Sequence, residues 1–156
     1  MSEIANSDDS LVISYLSLRK AIGVIGIAMP IVLPLGKIIL QSPGILSSIS
    51  SYYYSIMGDV FVGSLCAIGV FLLSYHGYER KDDIAGKIAG IAAIGVALFP
   101  VAPDLGATAK QMMIGNWHLT FAAVFILTLA YFSLFLFRKT KPNSQLTAQK
   151  KQRNII

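Results

Sequence analysis

Charge is scarce in this chain. Of 156 residues only 13% are Asp, Glu, Lys or Arg, about half the ~25% of an ordinary soluble domain. Cysteine is nearly absent. Cys66 stands alone inside an apolar run, which excludes an intramolecular disulfide and any multi-cysteine metal site. It is expected to be a small packing residue. Catalytic and cofactor signatures are also missing. The chain has no Walker loop, G-x-G-x-x-G, H-E-x-x-H, G-x-S-x-G or C-x-x-C. No cofactor and no metal is therefore assigned. No apolar stretch carries a formal charge at its centre, which argues against a pump or a proton-coupled transporter.

What fills the chain instead is apolar. Hydrophobic residues make up 54% of it, and the mean hydropathy is +0.64. A helix needs roughly 20 apolar residues to cross the ~30 Å hydrocarbon core. Four stretches approach that length, at about 21–40, 57–76, 84–101 and 117–137. The fold expected is all-α: a polytopic membrane protein with four transmembrane helices packed as a bundle. Residues 1–20 form a cytoplasmic N-terminal segment, 21–137 the transmembrane domain and 138–156 a basic cytoplasmic tail. The order of charge and apolar residues near the start mimics a signal peptide, but the run from Ala21 to Leu40 is too long for an h-region.

Each stretch has its own character. Residues 1–10 are polar and acidic and are expected to be mobile, and 11–18 read as an interfacial lead-in. The first span holds Pro30 and Pro34 one turn apart, which predicts a kink. Lys37, near its far end, is expected to snorkel outward. Residues 41–57 are uncharged and rich in serine. They read as an outside loop with a re-entrant or interfacial portion, and Tyr52, Tyr53 and Tyr54 fit an aromatic belt. Asp59 opens the second span, where a carboxylate favours the helix dipole and can cap it. The third span is rich in small residues. Gly86, Gly90 and Ala93 permit close helix approach, either within the chain or between copies, and Gly63 and Ala67 of the second span belong to the same packing set. Residues 101–116 read as a second outside loop, before Trp117 and His118 open the fourth span.

Positive charge is distributed unevenly. Eleven Lys and Arg fall on the side of the termini and the 76–83 turn, against only Lys37 and Lys110 on the other. By the positive-inside rule both termini are cytoplasmic. The net charge of +5 is thus a topology signal. Nothing in it points to nucleic acid, because no basic patch is interleaved with aromatics. The basic tail is placed to meet anionic lipid heads.

Polar candidates converge on the outer side. Asp59 and His118 could act as an acid/base pair on a lipid headgroup, with Tyr52, Tyr53, Tyr54, Asp104 and Lys37 as ligand-binding neighbours. The bland reading of each is a cap, a belt residue or an anchor. Membrane lipids are the expected partners, with a second copy or another membrane protein as a further possibility. The function expected is a non-enzymatic module that binds a lipid or a partner. A headgroup enzyme and a small oligomeric channel or carrier are the alternatives.

Several segments together resemble a known group. They are S-Y-Y-Y at 51–54, D-V-F-V-G at 59–63, G-V-F-L-L-S-Y-H-G-Y at 69–78, the Asp82-Asp83 turn, A-G-I-A-A-I-G-V-A-L-F-P at 89–100 and W-H-L-T-F-A-A-V-F at 117–125. The pattern resembles small bacterial integral membrane proteins grouped under domain of unknown function 998. The resemblance covers about half the chain and implies a bacterial inner (cytoplasmic) membrane location. It carries no activity. On that pattern Tyr53, Asp59, Tyr75, Gly77, Tyr78 and His118 are the special positions.

Overall fold

The computed structural model describes residues 2–75 and 80–136. His76, Gly77 and Tyr78, and the basic tail, lie outside the described residues. Four α-helices follow in order: α1 (Ser2–Leu40), α2 (Gly58–Leu73), α3 (Arg80–Leu98) and α4 (Ala109–Tyr131). A 3-10 turn, Ser50–Tyr54, precedes α2, and a π-helical turn, Phe132–Leu136, prolongs α4. The described residues form an all-α fold without strands.

Helix boundaries depart from the sequence reading at three places. α1 is helical from Ser2, where a mobile segment is expected. No glycine or proline interrupts residues 2–22, so nothing breaks the helix as it propagates backward from the apolar run. It also continues through Pro30 and Pro34. α3 starts at Arg80, inside the charged turn, with Asp82 and Asp83 in its first turn, where the helix dipole favours them. Asp82 is buried. α4 begins eight residues before Trp117, because Thr108 caps it. The Thr108 Oγ1 accepts from the Gln111 backbone at 3.3 Å, and the Gln111 side chain accepts from the Thr108 N–H at 2.9 Å. This reciprocal pair is a capping box.

Among the described residues, two helices are long and apolar enough to cross a membrane, by Lys20–Leu40 and Ala109–Phe135. α2 is apolar but has 16 residues, giving ~24 Å of rise against a ~30 Å core. α3 opens on four charged residues and is composed mainly of Gly, Ala and Ile. α1 and α4 turn large apolar side chains outward, among them Ile27, Ile31, Ile39, Leu119, Ile126 and Leu127. The buried residues lie mostly on α2 and α3.

α3 packs on both α2 and α4, α2 also packs on α1, and no comparable contact joins α1 to α4. Close approach of α2 and α3 rests on glycine. A Cβ at Gly90 would lie 2.8 Å from the Gly69 carbonyl oxygen, and a Cβ at Gly69 would lie 3.0 Å from that of Gly90. Gly86 sits equally close to Leu72 and Tyr75, and Ala93 is fully buried. The small-residue face of α3 is thus occupied within the chain by α2. Gly69 lies outside the expected packing set yet forms its centre, and Gly63 does not belong there. A Cβ on Gly63 meets nothing within 4 Å, because it lies on the outer face of α2. Ala67 is half-buried.

Candidate functional site: an apolar groove with a serine–histidine pair at one mouth

A cavity of about 1020 Å³ lies between α1, α2 and α4. α1 contributes Ile22, Gly23, Gly26, Met29 and Pro30, α2 contributes Phe61, Leu65, Ile68 and Leu72, and α4 contributes Ala122, Phe125, Ile126 and Leu129. The groove follows α2 from Phe61 to Tyr75, ~21 Å at 1.5 Å per residue. Its walls are almost entirely carbon. Among the described residues, the lining ones with side-chain polar atoms are Lys20, Ser50 and Tyr75. Tyr75 packs edge-on against Phe132 at 5.4 Å, and both line the groove. Ser50 stands at one mouth, where the 41–57 loop crosses. A side chain at Gly23 or Gly26 would meet no atom within 4 Å, so these glycines widen the groove.

His118 anchors the loop-bearing end. It is 1% exposed, so it is a core residue and not an interfacial one. Its Nδ1 lies 2.6 Å from the Phe99 carbonyl oxygen and its Nε2 lies 3.0 Å from Ser50 Oγ. Phe99 follows the last residue of α3, where carbonyls lack intrahelical partners. A carbonyl can only accept, so Nδ1 carries the hydrogen. In the neutral ring Nε2 is then the acceptor, and the Ser50 hydroxyl donates to it.

Asp59 is elsewhere. It is exposed in the first turn of α2. Both His118 nitrogens are used by other partners, so the structure does not join Asp59 and His118 into an acid/base pair. Met57, not Asp59, occupies the N-cap position, and no side chain caps α2 there. Among the described residues no three His, Cys, Asp or Glu come together to hold a metal ion.

The remaining candidates tie the loops together. Asp104 accepts from Ser47 Oγ at 3.0 Å. The Tyr54 hydroxyl donates to the Val101 carbonyl at 2.7 Å. Desolvation, and then the neighbouring Tyr53, holds that phenol above its ordinary value of 10.0, so it stays a donor. Tyr53 meets Tyr54 edge-on at 5.2 Å. Tyr52 is 1% exposed and accepts from the Leu46 N–H at 3.2 Å. The Tyr52 ring is therefore a loop core and not part of a membrane-facing belt, because the Leu46 amide needs its oxygen inside.

Lys37 also reverses its expected direction. It is 7% exposed, and its Nζ donates to the carbonyls of Gly44 at 3.1 Å and Pro43 at 3.4 Å. Gly44 has φ +105°, a conformation open to glycine that turns this loop over the lysine. A buried ammonium is costly unless its hydrogen bonds are satisfied. Lys37→Met keeps the stem and removes the donors, leaving two carbonyls without them. The expected loss is about 2 kcal/mol, a fall in melting midpoint of roughly 4–8 °C. A midpoint equal to wild type in a detergent melt would show that the ammonium holds nothing.

Ser50 is one of many loop serines in the sequence, and nothing local singles it out. Its importance comes from one contact, with His118, 68 positions away along the chain. Comparison with family models, curated proteins and solved structures yields no match.

Proposed function

We propose that this chain is a four-crossing integral membrane protein, with both termini cytoplasmic, that holds an acyl chain of a membrane lipid between α1 and α4. The single observation that carries the reading is the apolar groove, about 1020 Å³ in volume, at the upper end of the size range of ligand pockets. The outward apolar faces of α1 and α4 support immersion in hydrocarbon, since a soluble surface rarely exposes contiguous patches of this kind. α2 and α3 are shorter and are carried between the outer helices. The eleven-to-two bias of Lys and Arg supports the orientation, with the serine-rich loop outside. The resemblance to small bacterial membrane proteins agrees with a cytoplasmic-membrane location.

Transfer of a chain from bilayer to groove gains no hydrophobic energy, because lipid tails are as apolar as leucine. Selection therefore rests on shape and on the polar groups at the two mouths. Lys20 supplies a cation at the cytoplasmic mouth, where an anionic phospholipid offers the complementary charge.

The test is chain occupancy. Protein extracted in mild detergent is examined by native mass spectrometry, and bound lipid is identified after extraction. Wild type is expected to retain a two-chain phospholipid. Gly26→Phe inserts a ring where nothing stands within 4 Å and is expected to lower occupancy about tenfold, worth ~1.4 kcal/mol. Gly63→Phe, on the open face of α2, is the control. Equal occupancy in all three proteins would sink the groove reading.

A further inference from the structure

Three features meet at the outer mouth, and together they describe a nucleophile and its base. Ser50 Oγ is 3.0 Å from His118 Nε2, and His118 Nδ1 is fixed at 2.6 Å by the Phe99 carbonyl. Ser50 is half-buried and also lines the groove, so the residue that meets the base also borders the apolar cavity. A serine within hydrogen-bond reach of a histidine, which a third group orients, is the arrangement from which acyl-transfer nucleophiles are built.

The third group here is a backbone carbonyl instead of a carboxylate. It fixes the tautomer that leaves Nε2 free to take a proton. It also ends α3, so the partial negative charge of that helix terminus faces Nδ1–H and favours the imidazolium as it forms. With both nitrogens held and the ring 1% exposed, the imidazole is fixed in place.

We propose that Ser50 and His118 cleave the carboxylic ester of a lipid whose acyl chain occupies the groove. This proposal rests on the groove reading. In the first step Ser50 Oγ bonds to the ester carbonyl carbon while its proton passes to His118 Nε2. The bond from that carbon to the alkoxy oxygen then breaks, and His118 returns the proton to the departing alcohol. In the second step a water entering from the outer loops gives a proton to Nε2 and bonds to the acyl carbon. The bond to Ser50 breaks, and Ser50 recovers the proton. The products are a fatty acid and the deacylated lipid alcohol. The groove determines which ester is cut, because the chain must lie along α2 for its carbonyl to reach Ser50.

A latch is the competing role of the same contact, since the Ser50–His118 bond also ties the 41–57 loop to α4. Hexadecyl fluorophosphonate separates the two. Its chain enters the groove, and its phosphorus traps an activated serine with loss of fluoride. The wild-type protein in detergent is incubated with this probe, the adduct is read by intact mass, and its position is mapped on peptides. Chain occupancy is measured by native mass spectrometry on the same preparations.

The expected result is one adduct, on Ser50, in wild type that retains lipid, and no adduct at that position in Ser50→Ala. His118→Asn should slow labelling by about a hundredfold or more, the lower end of a general base's contribution. Free fatty acid should also accumulate from phosphatidylethanolamine–phosphatidylglycerol proteoliposomes with wild type and not with Ser50→Ala. Wild type that retains lipid but takes no adduct, or takes it at another residue, overturns the nucleophile assignment and leaves the groove standing. Because the peptide map is made on wild type, this outcome is decisive even where Ser50→Ala fails to fold. Wild type that retains no lipid in the groove ends the groove reading and the substrate assignment together.

Discussion

Gly90→Leu is expected to prevent the bundle from assembling, with little or no monodisperse protein recovered from detergent. At Gly90 even a Cβ would stand 2.8 Å from the Gly69 carbonyl oxygen and 2.7 Å from Leu73 Cγ. One of these obstacles is backbone, which no rotamer change can move aside. The helices must then separate, and separation uncovers the α2–α3 seam along Gly69, Gly86, Ala89 and Ala93, all of them buried. Overpacking alone costs about 1–3 kcal/mol, and loss of the seam's packing adds to it, so a total above ~3 kcal/mol is expected. Packing is the main attraction between helices in lipid, where the hydrophobic effect does not act. Gly63→Leu makes the comparison sharp. It lies on the same helix as Gly69, has the same chemistry and has open space around its Cα. It should be recovered normally, with a melting midpoint near that of wild type. Equal recovery of Gly90→Leu and Gly63→Leu would contradict the seam.

His118→Leu should produce the second large effect. The substitution roughly preserves volume at a residue that is 1% exposed but leaves the half-buried Phe99 carbonyl and Ser50 hydroxyl without their partner. Each buried group left unsatisfied costs about 1–3 kcal/mol. A total near 3 kcal/mol corresponds to a fall of roughly 6–12 °C in melting midpoint. The loss should be local in character. The α3 C-terminus and the 41–57 loop should gain hydrogen exchange before the α2–α3 seam does, because the histidine is the joint between the former two. A midpoint within a degree or two of wild type would mean that the ring is a spectator. Ser50→Ala should cost less, since it removes only one of the two contacts and leaves the helix-terminal carbonyl paired.

Part of this architecture is legible in the chain itself. The apolar runs from Ala21 and Trp117 locate α1 and α4 because crossing length is a local property. The spacing of Gly86, Gly90 and Ala93 places them on one helical face, and α2 lies close against Gly86 and Gly90. The start of α4 is also legible, in Thr108-x-x-Gln111, but the apolar run beginning at Trp117 draws the expected boundary eight residues late. Lys37, Asp59 and Ser50 are not legible. A lysine near a helix end is ordinarily drawn outward, and only the turn at Gly44 brings two carbonyls over it. Asp59 and His118 share a predicted side of the membrane, yet one faces outward and the other lies inside the bundle. The partner that His118 takes is one of six serines in its loop region, distinguished by tertiary contact alone. The groove has no local signature either. It is a gap, left where α1 packs on α2 and not to a comparable extent on α4.

That one-sided attachment of α1 has a thermodynamic consequence. On the lipid-binding function proposed above, a chain that slips in between α1 and α4 would arrive sideways, from within the bilayer, without crossing water. Its chemical potential is then fixed by its mole fraction among the surrounding lipids. Saturation should follow membrane composition at constant total lipid and should not change when the same vesicles are diluted in buffer. A minor lipid competes against a solvent made of its own relatives, so occupancy measures preference between neighbours and not affinity from solution.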